Sequence, residues 1–336
     1  MNPARVFLGI DIGGTFTDLV MWDGRILRTS KTPSTPDDWV RGVCAGLAQL
    51  GLTERDSSGR SPVGPIIELV HGSTVATNAL LERKGDRVAF ITTAGFEDLL
   101  VIGRQDRPEL YTFDVRRPPP IVQRQDCFGV VERIGADGEV VTPLEEASLQ
   151  TVVSEIAARG IEAAAVCLLF SHLSPAHEQR VADALRAAGL RACASSDLLP
   201  EFREYERAAT TVINAYVAGK MTRYLQRLEA AARRHGIAGV RIMQSNGGQI
   251  GVATACRQAV RTILSGPAGG VVAAAHVARQ LGVTRFMTYD MGGTSTDVAL
   301  HDGQIARRTD TTIGGTPIAV PMLAIHTVGA GGGSIA

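Results

Sequence analysis

The chain has 336 residues, 45% of them apolar, with 34 lysines and arginines against 34 aspartates and glutamates. That apolar fraction over that length supports more than one packed core, so two or more domains are expected. Zero net charge leaves no electrostatic footprint for nucleic acid or for an acidic membrane surface, and neither is expected as a partner. The five cysteines (Cys44, Cys127, Cys167, Cys193, Cys256) are scattered and contain no Cys-x-x-Cys pair. They read as reduced thiols of a cytoplasmic protein and mostly as small core residues. Met1-Asn2-Pro3-Ala4-Arg5 runs into a short strand, and the longest apolar run, 163–170, is far too short to span a bilayer. No signal peptide or membrane segment is expected.

Three strands are predicted over 5–10, 16–22 and 25–31, the last two joined through Asp23-Gly24, a favoured two-residue hairpin turn. Pro33-Ser34-Thr35-Pro36 breaks the sheet and launches a helix over 37–50. A surface loop at 51–65 leads to a buried strand at 66–70, and His71-Gly72-Ser73-Thr74 opens a helix over 75–83 with Ser73 or Thr74 as its N-cap. After a strand at 87–92, the stretch 103–125 carries Arg104, Arg107, Arg116, Arg117 and Arg124 around Pro118-Pro119-Pro120. It reads as a solvated face, or as an anion-binding or partner-docking loop. Strands at 128–134 and 139–141 bracket the turn Ala136-Asp137-Gly138. A helix at 144–159, a strand at 163–170, a helix at 176–188 and a strand at 190–195 complete an α/β insert over 33–202.

His172 and His177 lack the spacing of a helical metal pair and read as surface polar residues. No His-Cys cluster or Gly-x-Ser-x-Gly elbow is present, which argues against zinc and serine hydrolases. The longest helical pattern, 203–235, stops at Gly236. A strand at 241–244, a helix at 249–258, a strand at 260–264 and a helix at 266–281 with proline in its first turn follow.

One motif occurs twice. Asp11-Ile12-Gly13-Gly14-Thr15-Phe16-Thr17-Asp18 returns as Asp290-Met291-Gly292-Gly293-Thr294-Ser295-Thr296-Asp297. The likeness continues without a gap from 17–28 onto 296–307, so Asp23-Gly24 falls on Asp302-Gly303. A matched pair of that length marks a duplicated unit. Glycines in such a turn let backbone N–H groups approach a phosphate, and threonine hydroxyls add donors. A carboxylate closing the strand is suited to Mg²⁺, directly or through water. Asp11 and Asp290 are therefore assigned to the metal and to catalysis. Gly13, Gly14, Thr15, Thr17, Gly292, Gly293, Thr294 and Thr296 are assigned to phosphate, with Asp18 and Asp297 bracing the hairpins. Two ordinary tight hairpins, with Asp and Thr as turn residues, are the bland alternative.

The two loops resemble the paired phosphate-binding hairpins of the actin, sugar-kinase and heat-shock ATPase superfamily. More narrowly, the blocks Gly9-Ile10-Asp11-Ile12-Gly13-Gly14-Thr15-Phe16-Thr17-Asp18, 71–85, Gln244-Ser245-Asn246-Gly247-Gly248, Ser265-Gly266-Pro267-Ala268-Gly269-Gly270 and 290–297 resemble the hydantoinase A/5-oxoprolinase family. The resemblance implies an α/β fold with a ribonuclease-H-like (actin-like ATPase) lobe at 1–32 plus 203–283. It also implies an α/β insertion at 33–202 and the start of a second similar lobe at 284–336. That lobe lacks its helices and adenosine-binding loop, so the chain is expected to be an N-terminal part or to need a hydantoinase B-type partner subunit. By the same resemblance His71, Thr74, Thr77 and Asn78 are candidate substrate-side residues, with helix capping as their structural alternative. The glycine-rich run 329–334 reads as a ligand-flanking loop or a linker. The implied function is ATP- and Mg²⁺-dependent hydrolysis of a small cyclic amide (hydantoin, N-methylhydantoin or 5-oxoproline) through phosphorylation of the amide oxygen. A small-molecule kinase, an ATP-dependent carboxylase subunit and a chaperone-like ATPase module are the rivals.

Overall fold

Period-two burial builds the first sheet. Strand Val6–Ile12 turns Val6, Leu8, Ile10 and Ile12 inward, and strand Phe16–Trp22 does the same with Thr17, Leu19 and Met21. Strand Leu27–Pro33 completes an antiparallel meander. On its other edge Val6–Ile12 pairs in parallel with Ile66–Ser73, which pairs in parallel with Val240–Met243, and Gln249–Gly251 closes the edge antiparallel. The helix Trp39–Gln49 is capped by Asp38 Oδ1, 3.2 Å from the Val40 amide, and packs on the second and third strands through Val40, Val43 and Leu47. Gly46 permits this close approach, since a Cβ there would meet Leu19 Cδ1 at 2.3 Å. The helix Ser265–Gln280 packs on Ile66–Ser73 and Val240–Met243.

The computed structural model describes residues 6–35, 37–54, 66–106, 111–113, 118–293 and 295–334. They form two units, one of residues through 78 with 221–308 and 321 onward, the other of 79–220 with 309–320. The sequence reading puts 33–202 in the insert. The difference arises because strand Ile66–Ser73 hydrogen-bonds to Val6–Ile12, so the helix 39–49 and the fourth strand belong to the ribonuclease-H-like lobe. Two further elements differ. Gln249–Gly251 is a strand preceding the helix Val252–Arg257, and 259–262 is a 3₁₀ turn in place of a strand. Its Val260 is fully buried, which gives the apolar run, while the Thr262 hydroxyl reaches back 2.7 Å to the Ala259 carbonyl and closes the turn.

In the second unit Arg191–Ala194, Ala163–Val166, Val88–Thr93 and Cys127–Val130 form a sheet in that order with every pairing parallel. Val88–Thr93 is buried throughout, as a central parallel strand should be. Helix Glu146–Ala158 contributes Leu149, Val152, Val153 and Ile156 to the core, and helix Ala176–Ala187 contributes Val181, Ala182 and Leu185. Ligands in open α/β sheets gather beyond the carboxyl ends of the strands. Here that space is filled by the protein's own polar groups. The buried Arg207 reaches Cys167 Sγ at 3.3 Å, His172 Nδ1 at 2.7 Å and the Leu168 carbonyl at 2.5 Å. The buried Glu178 carboxylate accepts from the Leu168 and Ser196 amides and the Ser195 hydroxyl at 2.7–3.1 Å. His177 Nδ1 lies 2.9 Å from buried Glu132, so both histidines, read from sequence as surface polar residues, are half-buried and hydrogen-bonded.

Arg104 makes a two-point ion pair with Glu206, at 2.7 Å on each arm, and Arg124 pairs with Asp98, as ordinary surface charges do. Arg107, Arg116 and Arg117 lie outside the described residues. All five cysteines are free. Among the described residues no helix is long and apolar enough to cross a membrane.

Candidate functional site

Both copies of the motif fold as the same hairpin, and both belong to the first unit. In the first, Asp11 stands opposite Asp18 and Ile12 opposite Thr17, and the Gly13 amide donates to the Phe16 carbonyl at 2.9 Å. In the second, strands Arg285–Met291 and Thr296–Asp302 set Asp290 opposite Asp297 and Met291 opposite Thr296, and the Gly292 amide donates to Ser295 at the same 2.9 Å. The Asp-Gly turns also correspond, with Gly24 at φ 92° and Gly303 at φ 74°, both in the region glycine favours. Each hairpin has a third strand, Leu27–Pro33 in one and Ile325–Val328 in the other.

The tips come together. A Cβ built on Gly293 would lie 3.7 Å from Thr15 Oγ1, and Asp290 is near enough to Asp11 to raise its pKa. Asp11 retains exposed surface, yet its carboxyl sits over the backbones of Gly72 and Gly266. Cβ atoms on those glycines would fall 3.3 and 3.2 Å from its Oδ1. This partial desolvation, first, and then the charges of Asp18 and Asp290 push the Asp11 pKa up to about 6, against the opposing pull of Lys31. Burial and Asp290 also raise Asp297, opposed by the Thr327 hydroxyl 2.6 Å from its Oδ1. Lys31 bonds both oxygens of Asp18, at 2.9 and 3.1 Å, and its ammonium lies 4.9 Å from the centre of the Phe16 ring. Negative charge from Asp18 and Asp290 thus acts on Asp11, and Lys31, the cation that opposes it, is bonded to Asp18.

Gly14, Thr15, Gly292 and Gly293 are exposed and Gly13 half-buried at these tips. Thr294, assigned with them, lies outside the described residues. Thr17 and Thr296, also assigned to phosphates, point inward. Thr17 is buried with Oγ1 3.2 Å from Ser34 Oγ, and Thr296 is buried with Oγ1 donating to the Ala330 carbonyl at 2.6 Å. His71 is fully buried, with Nδ1 3.2 Å from the Ile10 carbonyl and Nε2 2.6 Å from the Tyr224 hydroxyl, and desolvation pulls its pKa down to about 4. Thr74 donates to the Ile12 carbonyl at 3.0 Å, Thr77 accepts the Leu264 amide at 2.9 Å, and Asn78 is half-buried.

Sequence reasoning does not single out Gly72, Gly266, Lys31 or Ser34 for the site, and it reads 329–334 as a ligand-flanking loop or a linker. The first two stand inside the quoted blocks, but their place beneath Asp11 depends on strand register. The amides of Gly332 and Gly333 donate to the carbonyls of Gly292 and Gly293 at 2.9 Å, so the glycine run lies along the second tip. A separate cavity of about 910 Å³, within the second unit, involves neither hairpin, and the charged Arg104 and Glu206 on its wall satisfy each other.

A ribonuclease-H-like sheet with two Gly-Gly hairpins, each hung from a strand-terminal aspartate, defines the actin-like ATPase architecture. The hydantoinase/oxoprolinase N-terminal region model matches residues 7–189, and the hydantoinase/oxoprolinase model matches 207–336. The chain belongs to the hydantoinase/oxoprolinase family. It is 36% identical to caprolactamase subunit alpha of Pseudomonas jessenii over 346 residues, covering 100% of this chain and 49% of that protein. It is also 36% identical to 5-oxoprolinase 1 of Arabidopsis thaliana over 355 residues, covering 97% of this chain and 28% of that one. A solved structure of nucleotide-free acetone carboxylase, from work on ATP-dependent acetone carboxylation, superposes with a TM-score of 0.85 at 31% identity, covering 97% of this chain and 48% of that one. The chain spans about half the length, or less, of the curated relatives it matches.

Proposed function

We propose that this chain carries the phosphate-binding part of an ATP-dependent enzyme that opens a small cyclic amide, of the hydantoin, N-methylhydantoin or 5-oxoproline type. The observation that carries the reading is the meeting of the two hairpins, with Asp11 and Asp290 beside one another. An unstrained lactam resists hydrolysis because its carbonyl is a poor electrophile and its nitrogen a poor leaving group. Transfer of the γ-phosphoryl group of ATP to the amide oxygen, with ADP leaving, gives an activated imidate that water attacks. The carbon–nitrogen bond of the adduct then breaks as its nitrogen takes up a proton, and a second water hydrolyses the acyl phosphate that remains to carboxylate and phosphate. Such transfers depend on placement and charge stabilisation more than on covalent help from the protein.

The residues fit Mg²⁺ with a polyphosphate. Partial burial and then its negative neighbours hold the strand-end carboxylate at raised pKa, and glycine backbones beneath it leave room where any Cβ would intrude. Among the described residues no three His, Cys, Asp or Glu side chains are grouped to hold a metal ion. That suits a cation bound through one or two carboxylates, water and phosphate oxygens. When bound, Mg²⁺ neutralises the polyphosphate charge. Asp11 and Asp290 would hold it or its waters, while Gly13, Gly14, Thr15, Gly292 and Gly293 would present backbone and hydroxyl donors to phosphate; Thr294 is assigned with them from its place in the motif alone. Asp18 and Asp297 brace the hairpins, and we reassign Thr17 and Thr296 to the same task.

Relatives named as subunits, and about twice as long, support an active unit that includes more polypeptide, in the same chain or in a hydantoinase B-type partner. The acetone and acetophenone carboxylase relatives favour one second reading, an ATP-dependent carboxylase subunit. Measuring ADP release by the complete protein with its partner, across hydantoin, N-methylhydantoin, 5-oxoproline and ketones, separates the two. Release stimulated by a cyclic amide without bicarbonate is expected. Release that requires a ketone and bicarbonate would replace the amidohydrolase reading by the carboxylase one.

A further inference from the structure

The segment 71–77 reads from sequence as substrate-side, but its side chains are spent on the protein, and they are spent around one residue. Asp11 lies between Ile10 and Ile12, and both flanking carbonyls are held from this segment. His71 Nδ1 is 3.2 Å from the Ile10 carbonyl, and the Thr74 hydroxyl and amide lie 3.0 and 3.3 Å from the Ile12 carbonyl. Gly72 stands opposite Asp11 in the parallel pairing and forms half of the floor under its carboxyl. Gly266 forms the other half, and its position is also governed from 71–77. The Ser73 amide donates to Ser265 Oγ at 3.2 Å, and the Ser265 hydroxyl returns a bond to the Ser73 carbonyl at 3.1 Å. Thr77 Oγ1 accepts the Leu264 amide at 2.9 Å.

Leu264 is the telling residue. It starts the helix Ser265–Gln280 from a left-handed backbone, φ 61°, without a side-chain cap. For a leucine that conformation is unfavourable and persists only where its surroundings enforce it. Thr77 and the Ser73–Ser265 pair enforce it, and the resulting turn places Gly266 beneath Asp11. Restraint is needed there because Asp18 and Asp290 repel the Asp11 carboxylate, and the Gly13-Gly14 turn that follows is itself soft.

We propose that 71–77 is a positioning clamp for the Asp11 carboxylate, and that Thr77 controls it by holding the left-handed Leu264. His71, braced from behind by Tyr224, fixes the strand one residue earlier. The inference rests on the reading that Asp11 serves a Mg-nucleotide, and it replaces the substrate-contact role of His71, Thr74 and Thr77.

The test measures substrate-dependent ADP release by the complete protein carrying Thr77→Val, Thr77→Ser or Asp11→Asn, with the thermal midpoint of each. Valine keeps the volume and removes the acceptor, and serine restores it. A clamp predicts that Thr77→Val lowers kcat about tenfold or more, given the sensitivity of such sites to small misplacements. The KM values for ATP and amide should stay within about threefold, and Thr77→Ser should recover most of the loss. A Thr77→Val enzyme within about twofold of the unmodified one, while Asp11→Asn is inactive, overturns the clamp and leaves the function standing. A rise confined to the KM for the amide also overturns it, in favour of substrate contact. An active Asp11→Asn enzyme instead defeats the underlying reading. Should Thr77→Val not fold, Thr74→Val, which removes one hydroxyl bond to the Ile12 carbonyl, is judged by the same kcat and KM criteria.

Discussion

The two hairpins share a turn and differ in what stands behind it. In the first copy the third strand follows at once through the Asp23-Gly24 turn, and at the position opposite Asp18 it supplies Lys31. In the second the chain first departs through 303–324, returns as Ile325–Val328, and at the position opposite Asp297 supplies Thr327. Thr17 is tied to Ser34, where Thr296 is tied to Ala330. The first strand pair buries alternate residues, while the second leaves Met287, Tyr289, Met291 and Leu300 between 53% and 68% exposed. A duplicated turn thus sits on two unequal supports, one with an ammonium opposite its second aspartate and one with a hydroxyl there. Without a second cation the shared site carries surplus negative charge, and Asp11, between the two, has a pKa raised by partial burial first and by Asp18 and Asp290 second.

The largest effect expected is loss of the strand-end carboxylates. In the complete protein Asp11→Asn should lower substrate-dependent ADP release by a factor of about a hundred to a thousand, the range seen when a preorganised charge-stabilising group is removed. Asp290→Asn should cost less, because Asp290, exposed like Asp11, has no glycine floor of the kind Gly72 and Gly266 provide. Circular dichroism should show both variants folded. Equal losses would mean that the unequal supports do not matter, and unchanged turnover in both would defeat the assignment.

Next come the glycines. Gly266→Ala or Gly72→Ala would set a methyl group 3.2 or 3.3 Å from the Asp11 carboxylate and displace it, for a fall in kcat of about tenfold. Gly14 has nothing within 4 Å of a built Cβ, so Gly14→Ala should leave kcat nearly unchanged. If a phosphate does lie over that turn, the KM for ATP should rise instead. Steady-state kinetics on the three variants reads both outcomes, and the same kinetic signature in all of them would remove the distinction between floor and tip.

Lys31 sharpens the comparison through pH. Its charge lowers the Asp11 pKa, so Lys31→Met should raise that pKa beyond about 6. Activity that needs the ionised carboxylate is lost as pH falls through this value, so the acid limb of the kcat profile should move to higher pH in the variant. Lys31 is more than half exposed, so the move should be a fraction of a unit and shrink in salt. Thr327→Val, its counterpart in the second copy, should leave that limb in place.

What was legible in the sequence was local. The Gly-Gly-Thr turns, the Asp-Gly turns and the strands flanking them could be read because each signal lies within a few residues of its partner and is repeated. The sequence reading places the fourth strand in the insert because nothing in 66–70 says that it will pair with a strand some sixty residues earlier. For the same reason Gly72 and Gly266 went unrecognised as the floor of Asp11, and Lys31 and Thr327 as equivalents. Each depends on register, which no single segment encodes. The block 71–77 was misleading in a different way. A polar strand-to-helix junction looks alike whether its hydroxyls meet a ligand or hold a neighbouring strand, and only the partners at Ile10, Ile12 and Leu264 decide.

The smallest effect separates the paired threonines. Thr17→Val removes a 3.2 Å contact to Ser34, whose hydroxyl keeps its bond to the Gly13 carbonyl at 2.7 Å, so no buried group is stranded and a loss of a few tenths of a kcal/mol is expected. Thr296→Val removes a 2.6 Å bond to the Ala330 carbonyl, a principal side-chain tie between the returning segment and the second hairpin, and should cost about 1 kcal/mol in denaturant melts. In both variants the KM for ATP should hold, since each hydroxyl faces the protein. A rise in that KM would return the threonines to the phosphates. Equal stability losses would show that the second hairpin, for all its exposed surface, is braced as firmly as the first.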